Sequence, residues 1–101
     1  MRVRVGSRWR STVDATEVMV IRAPSAEVDL RCGGQPMTPP GGEAGGAELN
    51  PLHSDGTQIG KRYADEEIGL ELLCTKAGQG SLAIGEQPLL LKAAKPLPTS
   101  D

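Results

Sequence analysis

Apolar residues in this chain come in short alternating stretches, and each stretch is cut off by glycine or proline within a few positions. Thirteen glycines and eight prolines in 101 residues leave little room for helices of useful length. Strict alternation places every second side chain on one face, which is the pattern of a half-buried strand. In MRVRVGSRWRS (1–11), Val3 and Val5 alternate with Arg2 and Arg4, which predicts a strand with one wet face. TEVMVIRAP (16–24) is rich in β-branched residues on both faces and reads as a central strand ending before Pro24. VDLRC (28–32) puts Val28, Leu30 and Cys32 on one face, so residues 16–32 are expected to form a hairpin.

The middle of the chain has another character. Twelve of the 28 residues between 33 and 60 are Gly or Pro, including TPPGGEAGGAE (38–48). Such a composition cannot bury enough apolar surface to offset its ordering entropy, so 38–48 is expected to be a mobile loop. Beyond it, GLELLCTKAGQGSLAIGEQPLLLKAA (69–94) reads as strand, turn, strand, turn, strand. Leu70, Leu72 and Cys74 share a face, AGQG (77–80) turns the chain, Leu82 and Ile84 pair back, and Leu89–Leu91 is a short buried run. A helix over 65–76 competes, because Ile68, Leu72 and Leu73 also fit a helical face. Gly69 costs such a helix about 1 kcal/mol relative to Ala, and strand is the preferred reading.

These patterns predict an all-β, mostly antiparallel domain: a small barrel or sandwich of about five or six short strands with one long Gly/Pro-rich loop. Residues 1–101 form a single domain, with a strand block at 1–37, a loop over about 38–58, a second strand block at 59–95 and a short tail at 96–101. The chain has no Phe, one Trp and one Tyr, so its core must come from Val, Ile, Leu and Met. Small domains short of core volume often add a metal, a disulfide or a partner subunit. With two cysteines and one histidine, self-association or a protein partner is the expected supplement.

Net charge is −2, which argues against wholesale nucleic-acid binding. Its distribution is uneven: residues 1–42 hold six Arg against four acids, and residues 43–101 hold nine acids against five bases. No apolar run reaches the length of a membrane span, and no apolar region follows the basic N-terminus as in a secretory signal. The expected location is cytoplasmic, with both thiols reduced.

Few residues offer chemistry. A tetrahedral metal site would have to use Cys32, Cys74 and His53, with an acid such as Asp14 or Asp55, and none of these has paired metal spacing. A cysteine nucleophile would need His53 as its base, and spacing favours neither Cys32–His53 nor Cys74–His53. Both cysteines lie on apolar strand faces, where a buried, inert thiol is the expectation. YADEE (63–67) gathers three acids and reads as an exposed turn. Arg8, Trp9 and Arg10 are a candidate interaction patch, with Trp9 at an interface or core rim. GQG (78–80) and CGG (32–34) read as turn glycines and not as phosphate loops.

LRCGGQPM (30–37) resembles the second knuckle of desulforedoxin-type iron domains, where a strand ends in Cys-Cys-Gly-x-Pro-Met. The segment 12–30 is similar in length and polarity to the hairpin after that family's first Cys-x-x-Cys. The resemblance covers roughly residues 11–37, about a quarter of the chain. Three of the family's four iron-ligand cysteines are absent: none falls near Val13–Thr16, and Gly33 stands beside Cys32. What the resemblance implies is a hairpin shape and a dimeric habit. The expected cofactor is none, and the alternative is iron or zinc held through Cys32 and Cys74. EVDLRCGGQ and GLELLCTKAG also share an alternating run into Cys, a short match compatible with internal duplication.

The expected function is a small non-enzymatic β-rich accessory or protein-interaction domain that self-associates. The alternatives are a degenerate metal-thiolate domain and a small enzyme subunit with a Cys/His site.

Overall fold

A computed structural model describes residues 2–40 and 48–92. The described residues are all-β, with nine strands in two antiparallel sheets around one core. The strands are β1 (Arg8–Arg10), β2 (Glu17–Arg22), β3 (Leu30–Cys32), β4 (Gln35–Pro36), β5 (Arg62–Asp65), β6 (Leu70–Lys76), β7 (Leu82–Ile84), β8 (Gln87–Pro88) and β9 (Leu90–Lys92). The five-stranded sheet runs β1-β2-β6-β5-β9 and the four-stranded sheet β4-β3-β7-β8. The arrangement is a sandwich and not a closed barrel. The strand count exceeds five or six because β4, β5 and β8 form in segments that the sequence reads as turns.

Alternation explains which residues are buried. Val18 and Val20 of β2 face Cys74 and Leu72 of β6 in register, and all four are essentially inaccessible. Leu30 and Cys32 of β3 meet Ile84 and Leu82 of β7 in the other sheet. Val3, Val28, Met37, Tyr63, Leu70 and Leu89 complete the core, with Trp9, Ala23 and Ile84 packed on its rim. Burying a side chain of this kind contributes about 1.5–3 kcal/mol.

Several connections differ from the sequence expectation. Residues 16–32 are not a hairpin: β2 pairs with β1 and β6, while β3 pairs with β4 and β7 in the opposite sheet. The link Ala23–Asp29 carries the chain from one sheet to the other. Likewise 77–81 does not fold β7 back on β6, and β7 pairs instead with β3. The N-terminal strand is only Arg8–Arg10, because Gly6 at φ +86 turns the chain and leaves Val3 buried but Val5 exposed. Leu89 is buried, whereas Leu90 and Leu91 are not. The 65–76 region is strand, with a turn at 66–69 that closes through Gly69 at φ +75, and the competing helix does not form.

The Gly/Pro-rich segment is tied down at both ends. Thr38 bridges Arg10, Asn50 caps a single 3-10 turn at Pro51–His53, and Thr57 bridges Gly78. The centre of the expected mobile loop, residues 41–47, and all of the expected tail at 96–101 lie outside the described residues.

Gly33 and Gly34 make the β3–β4 turn with consecutive φ of +65° and +87°. A Cβ on Gly33 would sit 2.6 Å from both Leu49 Cδ1 and Val13 Cγ2, whereas one on Gly60 (φ +79) would meet nothing within 4 Å. Gly60→Ala should therefore cost only the left-handed backbone penalty, about 1 kcal/mol, and Gly33→Ala about 2–4 kcal/mol once the overlap is added. Urea unfolding of the two variants checks this ordering; equal midpoints would show that the Gly33 turn is not tightly packed.

Candidate functional site

Two places in the molecule combine polar chemistry with unusual surroundings. The first is built on the β1–β2 turn, where Ser11, Asp14 and Thr16 use short polar side chains to satisfy local backbone groups. Ser11 Oγ accepts from the Val13 and Asp14 N–H groups at 3.1 and 3.2 Å. The Asp14 carboxylate accepts from the Thr16 N–H and Thr16 Oγ1, both at 3.0 Å, and from the Gly80 N–H across the molecule. Cys32 Sγ lies 4.0 Å from Asp14 Oδ1. The strand-ending thiol thus faces a carboxylate as well as aliphatic neighbours.

Gly78 and Gly80 are more than turn residues. A Cβ on Gly80 would come within 2.9 Å of Cys32 Sγ and of the Gly33 nitrogen, so only glycine lets the 77–81 link lie against this cluster. Thr57 Oγ1 then donates to the Gly80 carbonyl at 2.6 Å. Asp14 is in effect a clamp between the first β-turn and a segment far away in sequence.

Electrostatics make the cluster quiet. Burial raises the Asp14 pKa, but the hydrogen bonds from Gly80, Ser11 and Thr16 outweigh it, and the net shift is downward. Burial and the neighbouring Asp14 charge push the Cys32 thiol up to about 11, although the Thr16 and Ser11 hydroxyls act the other way. Burial also raises the Cys74 thiol, whose Sγ is 3.2 Å from the Lys76 carbonyl oxygen. Both cysteines are free. A thiol held in its neutral form is a poor nucleophile and a poor metal ligand.

His53 lies half-buried in the 3-10 turn, where its carbonyl accepts from the Ser81 N–H at 2.8 Å. Among the described residues, no three His, Cys, Asp or Glu side chains gather closely enough to hold a metal ion, so Cys32, Cys74 and His53 do not converge as a ligand set. Arg8, Trp9 and Arg10 do not share a surface either. Trp9 packs against the core and donates from Nε1 to Ser7 Oγ at 3.2 Å, while Arg8 and Arg10 alternate onto the opposite face of β1 beside Met19 and Glu17.

Of the second place the sequence marks only the acidic segment YADEE (63–67). A groove of about 380 Å³ lies where the Asp65–Glu67 turn, the Gln87-Pro88 strand and β9 come together. Ala64, Pro88, Leu90 and Leu91 are its apolar lining residues. Leu90 and Leu91 are 74% and 52% exposed, at the outer edge of the five-stranded sheet. Beside them Lys92 Nζ is 2.6 Å from Glu71 Oε1 and 3.8 Å from Glu66 Oε1, which staples β9 to the sheet. Glu71, nearly buried, also has Arg62 Nη1 3.8 Å from its Oε2. Nothing local in LLLK marks its last two leucines as exposed, because that follows only from where β9 ends up.

No protein-family model matches this chain, and neither a curated protein nor a solved structure matches it. Among the described residues, no helix is long and apolar enough to cross a membrane.

Two outcomes follow from the Asp14–Cys32 cluster. Because the folded-state pKa of Asp14 is depressed, its contribution to stability is full above the ordinary value of 3.8 and is lost as pH falls through the lower folded-state value. Asp14→Asn should thus be less stable than the parent at pH 6, with the gap narrowing toward pH ~2; a gap independent of pH would remove the charge from the account. At pH 8, an aromatic disulfide reagent should leave both thiols unreacted in the folded protein and titrate both in guanidinium. Rapid reaction of one thiol before unfolding would show it to be accessible and ionised.

Proposed function

We propose that this chain is a non-enzymatic β-rich interaction domain, which works by associating with a second copy of itself or with a protein partner. One observation carries the reading: two large leucines stand exposed on an edge strand, next to a groove with apolar surface and an acidic wall. A sheet edge offers unpaired backbone donors and acceptors, and soluble proteins normally protect such edges with charge, proline or a covering element. An edge that carries leucines is built for contact with another chain.

The chemistry of the cysteines supports the same reading. Both thiols are buried and biased toward their protonated forms, and Asp14 spends its acceptors on Thr16 and Gly80. That arrangement serves stability more readily than turnover. The thin aliphatic core points the same way, since a domain of this size gains from burying additional apolar surface in an assembly.

Light scattering over a concentration range from about 10 µM to 1 mM tests the proposal. The mass should rise above the 10.6 kDa of one chain as concentration increases. Leu90→Asp should weaken association at least tenfold, about 1.4 kcal/mol, without shifting the thermal midpoint at concentrations where the parent is a monomer, because Leu90 is largely in solvent in the single chain. A mass fixed at one chain throughout, in the absence of other proteins, would rule out self-association.

A further inference from the structure

The backbone hydrogen bonds of the first half recur in the second. Gly6 N–H donates to the Val20 carbonyl at 2.7 Å and Val20 N–H to the Ser7 carbonyl at 2.9 Å. Gly60 N–H donates to the Cys74 carbonyl and Cys74 N–H to the Lys61 carbonyl, both at 2.9 Å. The two glycines have matching φ values of +86° and +79°. Met37 N–H reaches the Leu30 carbonyl at 3.0 Å, and Leu89 N–H reaches the Leu82 carbonyl at 3.0 Å. The Gly33 N–H bonds the Ser81 carbonyl at 3.0 Å, and the Gly85 N–H bonds the Asp29 carbonyl at 2.8 Å, so each turn glycine reaches into the other half.

Strand register shows how the halves are related. Exchanging Val18 with Leu72 and Val20 with Cys74 maps the pairs Val18↔Cys74 and Val20↔Leu72 onto each other, about a centre at Met19↔Leu73. In the second sheet, Cys32↔Leu82 and Leu30↔Ile84 exchange in the same way about Arg31↔Ala83. The sequence carries the repeat as LRCGGQPM (30–37) and LAIGEQPL (82–89). Cys32 therefore corresponds to Ile84 and Cys74 to Val20, which is not the cysteine-on-cysteine match suggested by the local alternation.

The repeat breaks at the outer edges. Arg10 and Thr38 exchange hydrogen bonds at 2.8 and 3.0 Å, as the first pair of an edge strand whose counterpart is Ala64↔Leu90. After Thr38 come Pro39 and Pro40, where the second half has Leu91 and Lys92. Backbone groups alternate in direction along a strand. Lys61 turns its carbonyl to Cys74 of β6, so Arg62 and Ala64 turn theirs to β9, and their partners Lys92 and Leu90 point back to β5. The Leu91 N–H and carbonyl then face away from the sheet, and among the described residues no strand lies beyond them. Pro39, at the matching place, has no N–H to offer.

We infer that the chain is a tandem duplication folded as a pseudo-twofold dimer, which associates at one edge only, β9 against β9 of a second copy, because Pro39 and Pro40 close the equivalent edge of the first half. This rests on the self-associating reading above. A two-fold centred on Leu91 lets the two copies exchange both of its backbone hydrogen bonds. It also sets Lys92 of each copy opposite Leu90 of the other, at the rim of the groove walled by Asp65–Glu67. Two open edges on a pseudo-symmetric unit would propagate into a fibre, whereas one open edge pairing with itself closes at two copies.

Sedimentation equilibrium of the full chain, with circular dichroism to confirm folding, tests the inference. The parent should reach twice the mass of one chain and stop. Leu91→Pro removes an outward N–H that makes no bond within the sheet, and it should leave a monomer at every concentration. Leu91→Lys, which keeps the N–H but adds a charge, should weaken pairing at least tenfold. Pro39→Val with Pro40→Val should open the first edge and let the mass climb past two copies. A parent that never leaves the monomer overturns the self-association reading itself. A dimer indifferent to both Leu91 variants overturns only the β9 contact, and a proline variant that stops at two copies overturns the edge closure.

Discussion

The pairing of β2 with β6 is the constraint on which the rest of the structure depends. It joins the two halves of the chain along the middle of the larger sheet and buries Val18, Val20, Leu72 and Cys74 almost completely. Without Phe, and with Trp9 only at the rim, the core is assembled around Tyr63 and the two thiols from aliphatic side chains that each contribute modestly. Neither half has enough of them for a core of its own. The first half gives β1 and β2 to one sheet and β3 and β4 to the other, and the second half supplies the strands they lie against.

Around that seam, glycine and short polar side chains do what bulk cannot. The 77–81 link can cross close to Cys32 only because Gly80 has no Cβ, and Asp14 then holds it by the Gly80 N–H. The first β-turn and the second crossover are fixed to each other in this way, with the thiol enclosed beneath them. Reactivity and enclosure are opposed here, since the burial that secures the packing is what keeps the sulfur protonated.

Much of the inside was legible from alternation alone. Val28, Leu30 and Cys32 share a buried face, as do Leu70, Leu72 and Cys74, and Gly33-Gly34 turns the chain where a hairpin needs positive φ. Partnership was not legible, because proximity in sequence favours hairpins and this chain crosses between sheets at 23–29 and 77–81 instead. From the sequence Asp14 stood only as an acid that could complete a metal site, since its decisive partner Gly80 is distant in sequence; the Ser11-x-x-Asp14-x-Thr16 spacing was the available signal for a self-bonding turn. The repeat was visible in the Leu-x-x-Gly-x-Gln-Pro string at 30–36 and 82–88. The two cysteines point away from it, because they are not equivalent positions.

The central seam also bears on how the molecule reaches its native state. Val18 and Cys74 meet only after most of the intervening chain has been closed into a loop, so ordering entropy is lost before the best contacts form. The small turns at Gly33-Gly34 and Gly85-Glu86 can assemble in microseconds, but they bury little by themselves. The meeting of the halves therefore carries the largest loop-closure cost, and non-local pairing of this kind slows folding relative to local hairpins.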